Sequence, residues 1–369
     1  MHPLRVAVVL GHWQNYGVET LTMNLYRNID RSKVQFDFIV SETPDSDIPD
    51  EEIEYLGGRL FIVPSYSHLV SYENELVKLF RDQRYAIVHC HMSTLCVLPL
   101  RAAKVAGVPI RIAHCHTMAG EGEYLKNAIK YSLRLFCHRY PTHYATSSLM
   151  AGNWLFGPRV KQNEMFYLPV ARNIESFRFD SARREAMRHE LGLDGKFVIG
   201  HLGRFVPQKN HGFLIDVFNA SLRRIPNAVL LLAGDGPLVG SAMNKAKDLG
   251  IEDKVVYLGR RSDAPDLYQA MDVFLLPSLY EGVPGTGIEA QAAGLPFIFA
   301  DTITDEATIL STSKRISLDD IGAWVEAIED AQGVERADTF DEMTSAGYNI
   351  GNAAESLVNY YLRLMDNGA

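Results

Sequence analysis

The sequence predicts an α/β protein built from two doubly wound domains, each with a mainly parallel sheet. Short apolar runs alternate with longer stretches of helical periodicity, which is typical of β-α-β units. This rhythm runs through the first half of the chain and begins again after a charged stretch, residues 178–190. The 369 residues also suffice for two domains that each bury their own core.

Ten apolar runs are the predicted strands. Those of the first half are residues 4–10, 36–40, 60–63, 87–91 and 110–116. Those of the second half are residues 197–202, 228–233, 255–258, 273–276 and 297–300. We expect residues 1–170 to form the first domain and 171–352 the second. The final stretch, 353–369, has apolar residues at helical spacing and is expected to pack back on the first domain.

The composition fits a globular protein, since 47% of the residues are hydrophobic and 22% are charged, which argues against extended disorder. The net charge of -9 argues against a nucleic-acid partner, because a phosphate-rich polymer would be repelled. Four cysteines suit reduced thiols better than a disulfide framework. No stretch approaches the roughly 20 apolar residues of a membrane span. We therefore expect a cytoplasmic protein that could lie at the inner face of the cell membrane.

A glycine-rich segment, residues 278–296, follows a predicted strand and carries the strongest functional signal. Glu281 and Glu289 stand at the two ends of its loop. Three glycines lie between them: Gly282, Gly285 and Gly287. Glycines let the backbone approach a ligand closely, and the amides that open the following helix suit a phosphate. Since carboxylates accept hydrogen bonds from hydroxyls, the combination predicts an enzyme that binds a nucleotide sugar.

Two cations lie on the loop after the predicted strand 197–202. Arg204 can grip phosphate oxygens in a planar fork, and Lys209 supplies a mobile point charge. Together they could stabilise a departing nucleoside diphosphate without a metal. The alternative is a solvated loop that carries two surface charges.

Two glycine turns also follow predicted strands. Gly17 precedes a helical pattern, so its amide could face a phosphate, although an ordinary turn glycine is the alternative. The Gly-Asp-Gly turn at 234–236 resembles a nucleotide-binding loop but lacks the spacing of a dinucleotide fingerprint.

Two His-Cys-His triplets end successive predicted strands and invite a zinc interpretation. Strand alternation argues against it, because the two histidines of a triplet point to one side and the cysteine to the other. For His89 and His114 we favour buried, hydrogen-bonded core positions. A histidine at the carboxyl end of a strand, such as His116, suits substrate orientation or proton transfer.

The segment 124–139 is predicted to form a helix with a basic stripe beside an apolar one. The basic residues are Lys126, Lys130 and Arg134, and the apolar residues are Leu125, Ile129 and Leu133. Such a helix can lie on an anionic membrane surface. A surface helix that turns its apolar stripe to the domain core is an equally good interpretation.

Taken in order, these motifs resemble those of the retaining glycosyltransferases of family 4, which have the GT-B arrangement of two Rossmann-like domains. The motifs are Gly17-Val-Glu19, His116-Thr117, Gly203-Arg204 with Lys209, the 234–236 turn, and Glu281 with Glu289. The resemblance spans nearly the whole chain, and the ordered set is more specific than any of its members.

The resemblance implies a role for each motif. Glu289 would accept hydrogen bonds from the ribose, and Glu281 would meet the donor sugar or phosphate. Arg204 and Lys209 would hold the diphosphate, and His116 would contact the donor sugar. The implied catalytic residues are His116, Arg204, Lys209 and Glu281. The implied donor-binding residues are Gly17, Gly203, Gly234, Gly259, Arg260, Gly282, Val283, Pro284, Gly285, Thr286 and Glu289, of which Val283 and Pro284 replace the aromatic residue and glycine usual in the family.

The resemblance further implies transfer with retention of the anomeric configuration and without a metal or a cofactor. We expect a nucleotide-diphosphate sugar as donor, uridine-linked, and a glycan or lipid-linked acceptor, because the loop continuation is similar to the branch that builds bacterial exopolysaccharide and capsule. In that branch the acceptors lie at the inner membrane face, which would give the helix at 124–139 a purpose. The alternatives are a nucleotide-sugar epimerase and a non-catalytic GT-B partner of an active transferase.

Overall fold

The computed structural model describes residues 2–13, 17–42, 47–118 and 124–367. Two compact units divide the chain. The first comprises Met1–Ala171 together with Asn349–Ala369, and the second comprises Arg172–Tyr348.

The first unit contains a seven-stranded parallel sheet in the order β3-β2-β1-β4-β5-β6-β7. Its strands are β1 (Leu4–His12), β2 (Val34–Ser41), β3 (Arg59–Val63), β4 (Ile87–Cys90), β5 (Ile110–Cys115), β6 (His143–Thr146) and β7 (Met165–Tyr167). Its helices up to β7 are α1 (Gly17–Asn28), α2 (Asp50–Tyr55), α3 (Leu69–Gln83), α4 (Val97–Val105), α5 (Tyr124–Arg134) and α6 (Leu149–Phe156). Helices on both faces explain why β2 and β4 are buried at every position.

The second unit contains a six-stranded parallel sheet in the order β10-β9-β8-β11-β12-β13. Its strands are β8 (Phe197–Leu202), β9 (Ala228–Ala233), β10 (Val255–Tyr257), β11 (Val273–Leu276), β12 (Phe297–Ala300) and β13 (Lys314–Ile316). Its helices are α7 (Ser181–Glu190), α8 (His211–Ser221), α9 (Val239–Asp248), α10 (Ala264–Ala270), α11 (Gly285–Ala292), α12 (Ile321–Ala331) and α13 (Phe340–Ser345).

Both sheets reverse their strand order beside the first strand of the unit, between β1 and β4 and between β8 and β11. Such a reversal is the position at which open α/β sheets bind ligands. The predicted α/β fold of two doubly wound domains is confirmed. The strands β6, β7 and β13 were not predicted, because they are only three or four residues long and lie at or near the sheet edges, and β6 and β13 also lack a continuous apolar run.

The chain ends in α14 (Ile350–Asn367), which packs on the first unit. It buries Leu357, Val358 and Tyr361 in the core that also contains Val6 and Phe36. Tyr360 stacks on Phe166 with 4.0 Å between ring centroids. In the described ranges, each helix is too short or too polar to cross a bilayer.

Candidate active site

In the second unit, two loops interlock beyond the carboxyl ends of β8 and β9. The amide of Gly203 donates to the carbonyl of Ala233 at 3.0 Å. Gly234 has φ of +144°, and a Cβ there would stand 1.9 Å from the carbonyl oxygen of Gly203. Gly236 has φ of +150°, and its Cβ would meet the Phe205 oxygen at 2.5 Å. Only glycine permits both this backbone conformation and this approach, so the 234–236 turn fixes the loop that carries Arg204.

A third loop is tied to the same loop through Gln208, which lies in the 3₁₀ turn Pro207–Lys209. The amide of Leu279 donates to the carbonyl of Gln208 at 2.8 Å. In return, the side-chain amide of Gln208 donates to the carbonyl of Tyr280 at 2.9 Å. The two motifs that the sequence places about 70 positions apart therefore form one rigid framework.

Within this framework Lys209 and Glu281 form an ion pair. The Lys209 ammonium donates to Oε1 of Glu281 at 2.6 Å, and the Ser278 hydroxyl donates to the same oxygen at 3.2 Å. The side chains of Lys209 and Glu281 are only 16% and 15% exposed. Because both charges are largely withdrawn from water, each depends on the other for stabilisation. The sequence analysis had expected Lys209 to hold the diphosphate and Glu281 to meet the donor sugar or phosphate, without predicting their contact.

Glu289 is held by two residues that the sequence analysis missed. Oε1 accepts from Nε of Arg172 at 2.9 Å, and Oε2 accepts from the hydroxyl of Tyr268 at 3.1 Å. Burial, and then the adjacent Glu289 charge, raise the pKa of Tyr268 well above its usual range, so its hydroxyl remains a donor. A carboxylate has about four acceptor positions, so both oxygens can still accept from a ligand hydroxyl. No sequence motif marks Arg172 or Tyr268, since only folding brings them to Glu289.

Two of the loop glycines lie close against protein neighbours. A Cβ on Gly285 would stand 1.8 Å from Nη2 of Arg172, and one on Gly287 would stand 2.6 Å from the Phe297 ring. Packing thus favours glycine at both positions, and their role in admitting a ligand stays a prediction. Helix α11 begins at Gly285, so its first amides, at Gly285 and Thr286, have no carbonyl partner in the helix and can receive an anion.

The other implied donor-binding residues are placed as follows. Val283 and Pro284 are buried, so their side chains pack inside the protein. Gly259 has φ of +65°, and its carbonyl accepts from the amide of Gly234 at 2.8 Å. Arg204 and Arg260 are exposed. The second unit thus gathers Arg204, Lys209, Glu281, Glu289 and the α11 amides around loops that follow its central strands.

In the first unit, Gly17 is the first residue of α1, and a Cβ there would meet no described atom within 4 Å. His116 follows β5, and its imidazole lies between two partners. Nε2 is 3.0 Å from Nδ1 of His91, and Nδ1 is 3.3 Å from the hydroxyl of Ser147. Burial lowers the pKa of His116 to about 3. The ring is therefore neutral near pH 7, where it can accept or donate a hydrogen bond but carries no charge.

His89 and His114 are fully buried, as expected, and form a second pair behind the first. Nε2 of His89 lies 3.0 Å from Nδ1 of His114, and Nδ1 of His89 lies 2.6 Å from the hydroxyl of Tyr361. Nitrogen atoms of His89, His91 and His114 lie within 4.8 Å of one another. Because side chains alternate along a strand, His89, His91 and His114 lie on one face of the sheet. Most of their ring nitrogens form hydrogen bonds. Burial lowers the pKa of His89 to about 3, with His116 adding a smaller effect.

Helix α5 differs from the expectation for 124–139. It ends at Arg134, and its described basic side chains contact the protein. The ammonium of Lys130 donates to the carbonyl of Met118 at 3.2 Å, and Arg134 lies over the Trp154 ring at 5.4 Å. Ile129, on the predicted apolar stripe, is 52% exposed. Lys130 and Arg134 therefore contact the protein, whereas Ile129 faces solvent and Leu133 is half-buried. The side chain of Lys126 lies outside the described part.

The chain is similar to known glycosyltransferases. The family "Glycosyltransferase Family 4" matches residues 16–157, and "Glycosyl transferases group 1" matches residues 196–332. Putative glycosyltransferase EpsF of Bacillus subtilis is 34% identical over 97% of this chain and 96% of its own length. The UDP-Gal:alpha-D-GlcNAc-diphosphoundecaprenol alpha-1,3-galactosyltransferase of Escherichia coli is 27% identical over 85% of this chain and 84% of its own length.

Solved structures show the same fold. Anabaena Alr3699/HepE in complex with UDP superposes with a TM-score of 0.76 at 16% identity, covering 99% of this chain and 100% of that one. Sucrose-phosphate synthase from Thermosynechococcus elongatus superposes with a TM-score of 0.78 at 16% identity, with the same coverage. At these identities the likeness concerns the architecture.

Proposed function

The chain belongs to the family 4 glycosyltransferases of the GT-B fold, and from that premise we propose a specific reaction. The protein transfers a sugar, with retention, from a nucleotide-diphosphate donor to a lipid-linked or glycan acceptor in bacterial surface polysaccharide synthesis. The donor is a uridine diphosphate sugar. Support for uridine comes from the galactosyltransferase relative, whose name specifies UDP-Gal, and from the HepE complex with UDP.

The observation that carries the proposal is the Lys209–Glu281 pair on its interlocked loops. A diphosphate that enters beside Lys209 offers this ammonium a new anionic partner, while Arg204 and the first amides of α11 add further positive potential. Glu281, released from Lys209, can then accept a hydrogen bond from a sugar hydroxyl. Donor binding and the arrangement of Glu281 are coupled in this way.

The remaining residues have supporting roles in the proposed reaction. Glu289, held by Arg172 and Tyr268, accepts from the ribose hydroxyls. For His116 we propose the donor-sugar contact that the family implies, made by a neutral imidazole. The acceptor hydroxyl attacks the face from which the diphosphate leaves, and its proton passes to a departing phosphate oxygen. This step uses neither a metal nor a cofactor.

The acceptor is proposed to lie at the inner face of the cell membrane, with the protein bound there peripherally. The galactosyltransferase relative is named for a diphosphoundecaprenol acceptor. Ile129 on α5, and Leu135 and Phe136 directly after it, are exposed and suited to contact an apolar surface.

Binding and turnover test the proposal separately. Calorimetry with UDP, GDP and uridine should show tightest binding for UDP, and no binding to folded protein would favour the non-catalytic partner. A screen of UDP-sugars with membrane-lipid extracts should yield a glycosylated lipid of unchanged anomeric configuration by NMR, with activity preserved in EDTA. Incubation of the donor alone discriminates the epimerase, since an epimer as main product would contradict transfer.

A further inference from the structure

His91 lies at the reversal of strand order in the first sheet, and the reaction proposed above gives it no role. The reversal falls between β1 and β4, and open α/β sheets bind ligands at such a position. His91 directly follows β4, and its amide donates to the carbonyl of Val9 in β1 at 2.9 Å. His116 follows β5, one strand farther from the reversal. By its place in the sheet, His91 is therefore the nearer of the two histidines to a ligand bound there.

Both ring nitrogens of His116 are already occupied by protein partners. Nε2 is 3.0 Å from Nδ1 of His91, and Nδ1 is 3.3 Å from the hydroxyl of Ser147. This hydroxyl also lies 3.4 Å from the carbonyl of Cys115, and Ser147 is only 2% exposed, so a ligand cannot take its place. The half-buried ring of His116 can contact a sugar through its carbon atoms, but it has no nitrogen left for a sugar hydroxyl.

Nε2 of His91 is the open end of this hydrogen-bonded chain. It bonds to no described residue, and it is not sealed from solvent as Nε2 of His114 is. Burial, followed by the neighbouring histidines, lowers the pKa of His91, so its ring is neutral near pH 7.

The direction of the chain sets what Nε2 of His91 offers. Two neutral imidazoles share a hydrogen bond only when one donates and the other accepts. If Ser147 accepts from His116, Nε2 of His91 is left as an acceptor, and if Ser147 donates, Nε2 is left as a donor. A hydroxyl both donates and accepts, so it can join the chain in either state.

The second histidine pair cannot serve a ligand in this way. His89 and His114 are fully buried, and Nδ1 of His89 lies 2.6 Å from the hydroxyl of Tyr361. Tyr361 belongs to α14 and is itself only 1% exposed. Of these four histidines, His91 thus combines an unused ring nitrogen with contact to solvent.

We propose that His91 binds a hydroxyl of the donor sugar through Nε2. His116 then has a second task, because its Nε2 positions the ring of His91, and Ser147 positions His116 in turn. The inference rests on the proposed function, which brings the donor sugar to His116. It also adds a source of specificity, since sugars that differ in the orientation of this hydroxyl would meet Nε2 differently.

Two amide variants of His91 separate contact with the sugar from support of His116. Asparagine carries its amide at the position of Nδ1, and glutamine carries it at the position of Nε2. His91→Asn therefore keeps a partner for His116 and loses the proposed sugar contact. His91→Gln keeps a group for the sugar and loses the partner of His116. Calorimetry on the full chain measures the affinity of each protein for UDP and for a panel of UDP-hexoses and UDP-N-acetylhexosamines.

The two variants should differ only when the sugar is present. UDP should bind equally to both variants and to the unmodified protein, because UDP lacks the sugar. For the UDP-sugar that binds the unmodified protein most tightly, His91→Asn should lose about 3- to 10-fold in affinity, as expected for one neutral hydrogen bond. His91→Gln should lose less.

Two results of this experiment would overturn the contact. One is unchanged affinity of His91→Asn for the UDP-sugar. The other is a loss in His91→Gln as large as that in His91→Asn or larger, which would show that His91 only supports His116. If neither variant folds, NMR of the unmodified protein with labelled histidine nitrogens decides. The Nε2 resonance of His91 should shift on addition of the UDP-sugar and not of UDP, and an unshifted resonance would also overturn the contact.

The proposed function can fail separately from this contact. The absence of UDP binding to folded protein contradicts the nucleotide-sugar reaction itself. UDP binding that persists while His91→Asn binds the UDP-sugar normally overturns only the role of His91.

Discussion

At the scale of single residues, the Lys209–Glu281 ion pair links protein stability to ligand binding. Lys209→Ala should weaken UDP about 10- to 100-fold, the loss expected for one charge-assisted hydrogen bond, and leave uridine affinity unchanged. It should also destabilise the second unit by about 1–3 kcal/mol, because Glu281 loses its partner in a largely buried position. Calorimetry and urea unfolding measure the two effects.

A double variant separates these effects. Lys209→Met with Glu281→Gln removes both charges, so stability should recover while UDP binding should not. Lys314→Ala is the matched control, since its pair with Asp330 is exposed and should contribute less than about 1 kcal/mol. Equal losses of UDP and uridine in Lys209→Ala would contradict the diphosphate role.

The stability cost of a side chain at Gly234 can be predicted from steric contacts alone. Gly234→Ala should cost at least about 2 kcal/mol, because φ of +144° is essentially restricted to glycine and the new Cβ would meet the Gly203 oxygen. Gly240→Ala is the control, since a Cβ there meets no described atom within 4 Å, and should be neutral or stabilise α9 by up to about 1 kcal/mol. Urea unfolding measures both, and a mild Gly234→Ala effect would show that the interlocked loops can relax.

At the scale of elements, α14 belongs to the first unit although it follows the second in the chain. Leu357→Ala should destabilise the first unit by about 2–5 kcal/mol, because it opens a cavity in the core that contains Val6 and Phe36. Ser356→Ala, at an exposed position of the same helix, should change stability by less than about 0.5 kcal/mol. Unfolding followed in each unit separately is the measurement, and a loss confined to the second unit would contradict this assignment.

Helix α5 shows where sequence periodicity is insufficient. The spacing of Lys130 and Arg134 predicts a stripe, but a stripe does not state which side faces the protein. In the structure the neighbours decide: the carbonyl of Met118 and the ring of Trp154 attract the cations, and Ile129 and Leu135 remain exposed.

At the scale of the whole molecule, buried histidines should make the two units lose different amounts of stability at acidic pH. Burial lowers the pKa values of His89 and His116 to about 3, and those of His91 and His114 also fall. Unfolded histidines take up protons below about pH 6.5 and the folded ones do not, so stability falls as the pH falls from there towards 3. Each buried histidine should therefore lower the free energy of unfolding by about 1.4 kcal/mol at one pH unit below 6.5.

The first unit contains these four histidines, whereas the second contains two comparable ones, His201 and His211. The first unit should therefore lose more stability between pH 7.5 and 5.5. Tryptophan fluorescence during urea unfolding can follow each unit. The Trp324→Phe variant keeps only the two tryptophans of the first unit. The double variant Trp13→Phe with Trp154→Phe keeps only the tryptophan of the second unit. Equal losses in both units would contradict the prediction.

The sequence by itself determined the fold class, because β-type and helical periodicities depend on local burial. It also placed the candidate residues after strands, and the carboxyl ends of parallel strands meet at one edge of a sheet. Only the tertiary structure decided which residues touch. It paired Lys209 with Glu281, brought Arg172 and Tyr268 to Glu289, and placed two loop glycines against Arg172 and Phe297. Such contacts join positions far apart in the chain, so no local pattern encodes them, and the physics of burial and charge pairing selects them only when the chain folds.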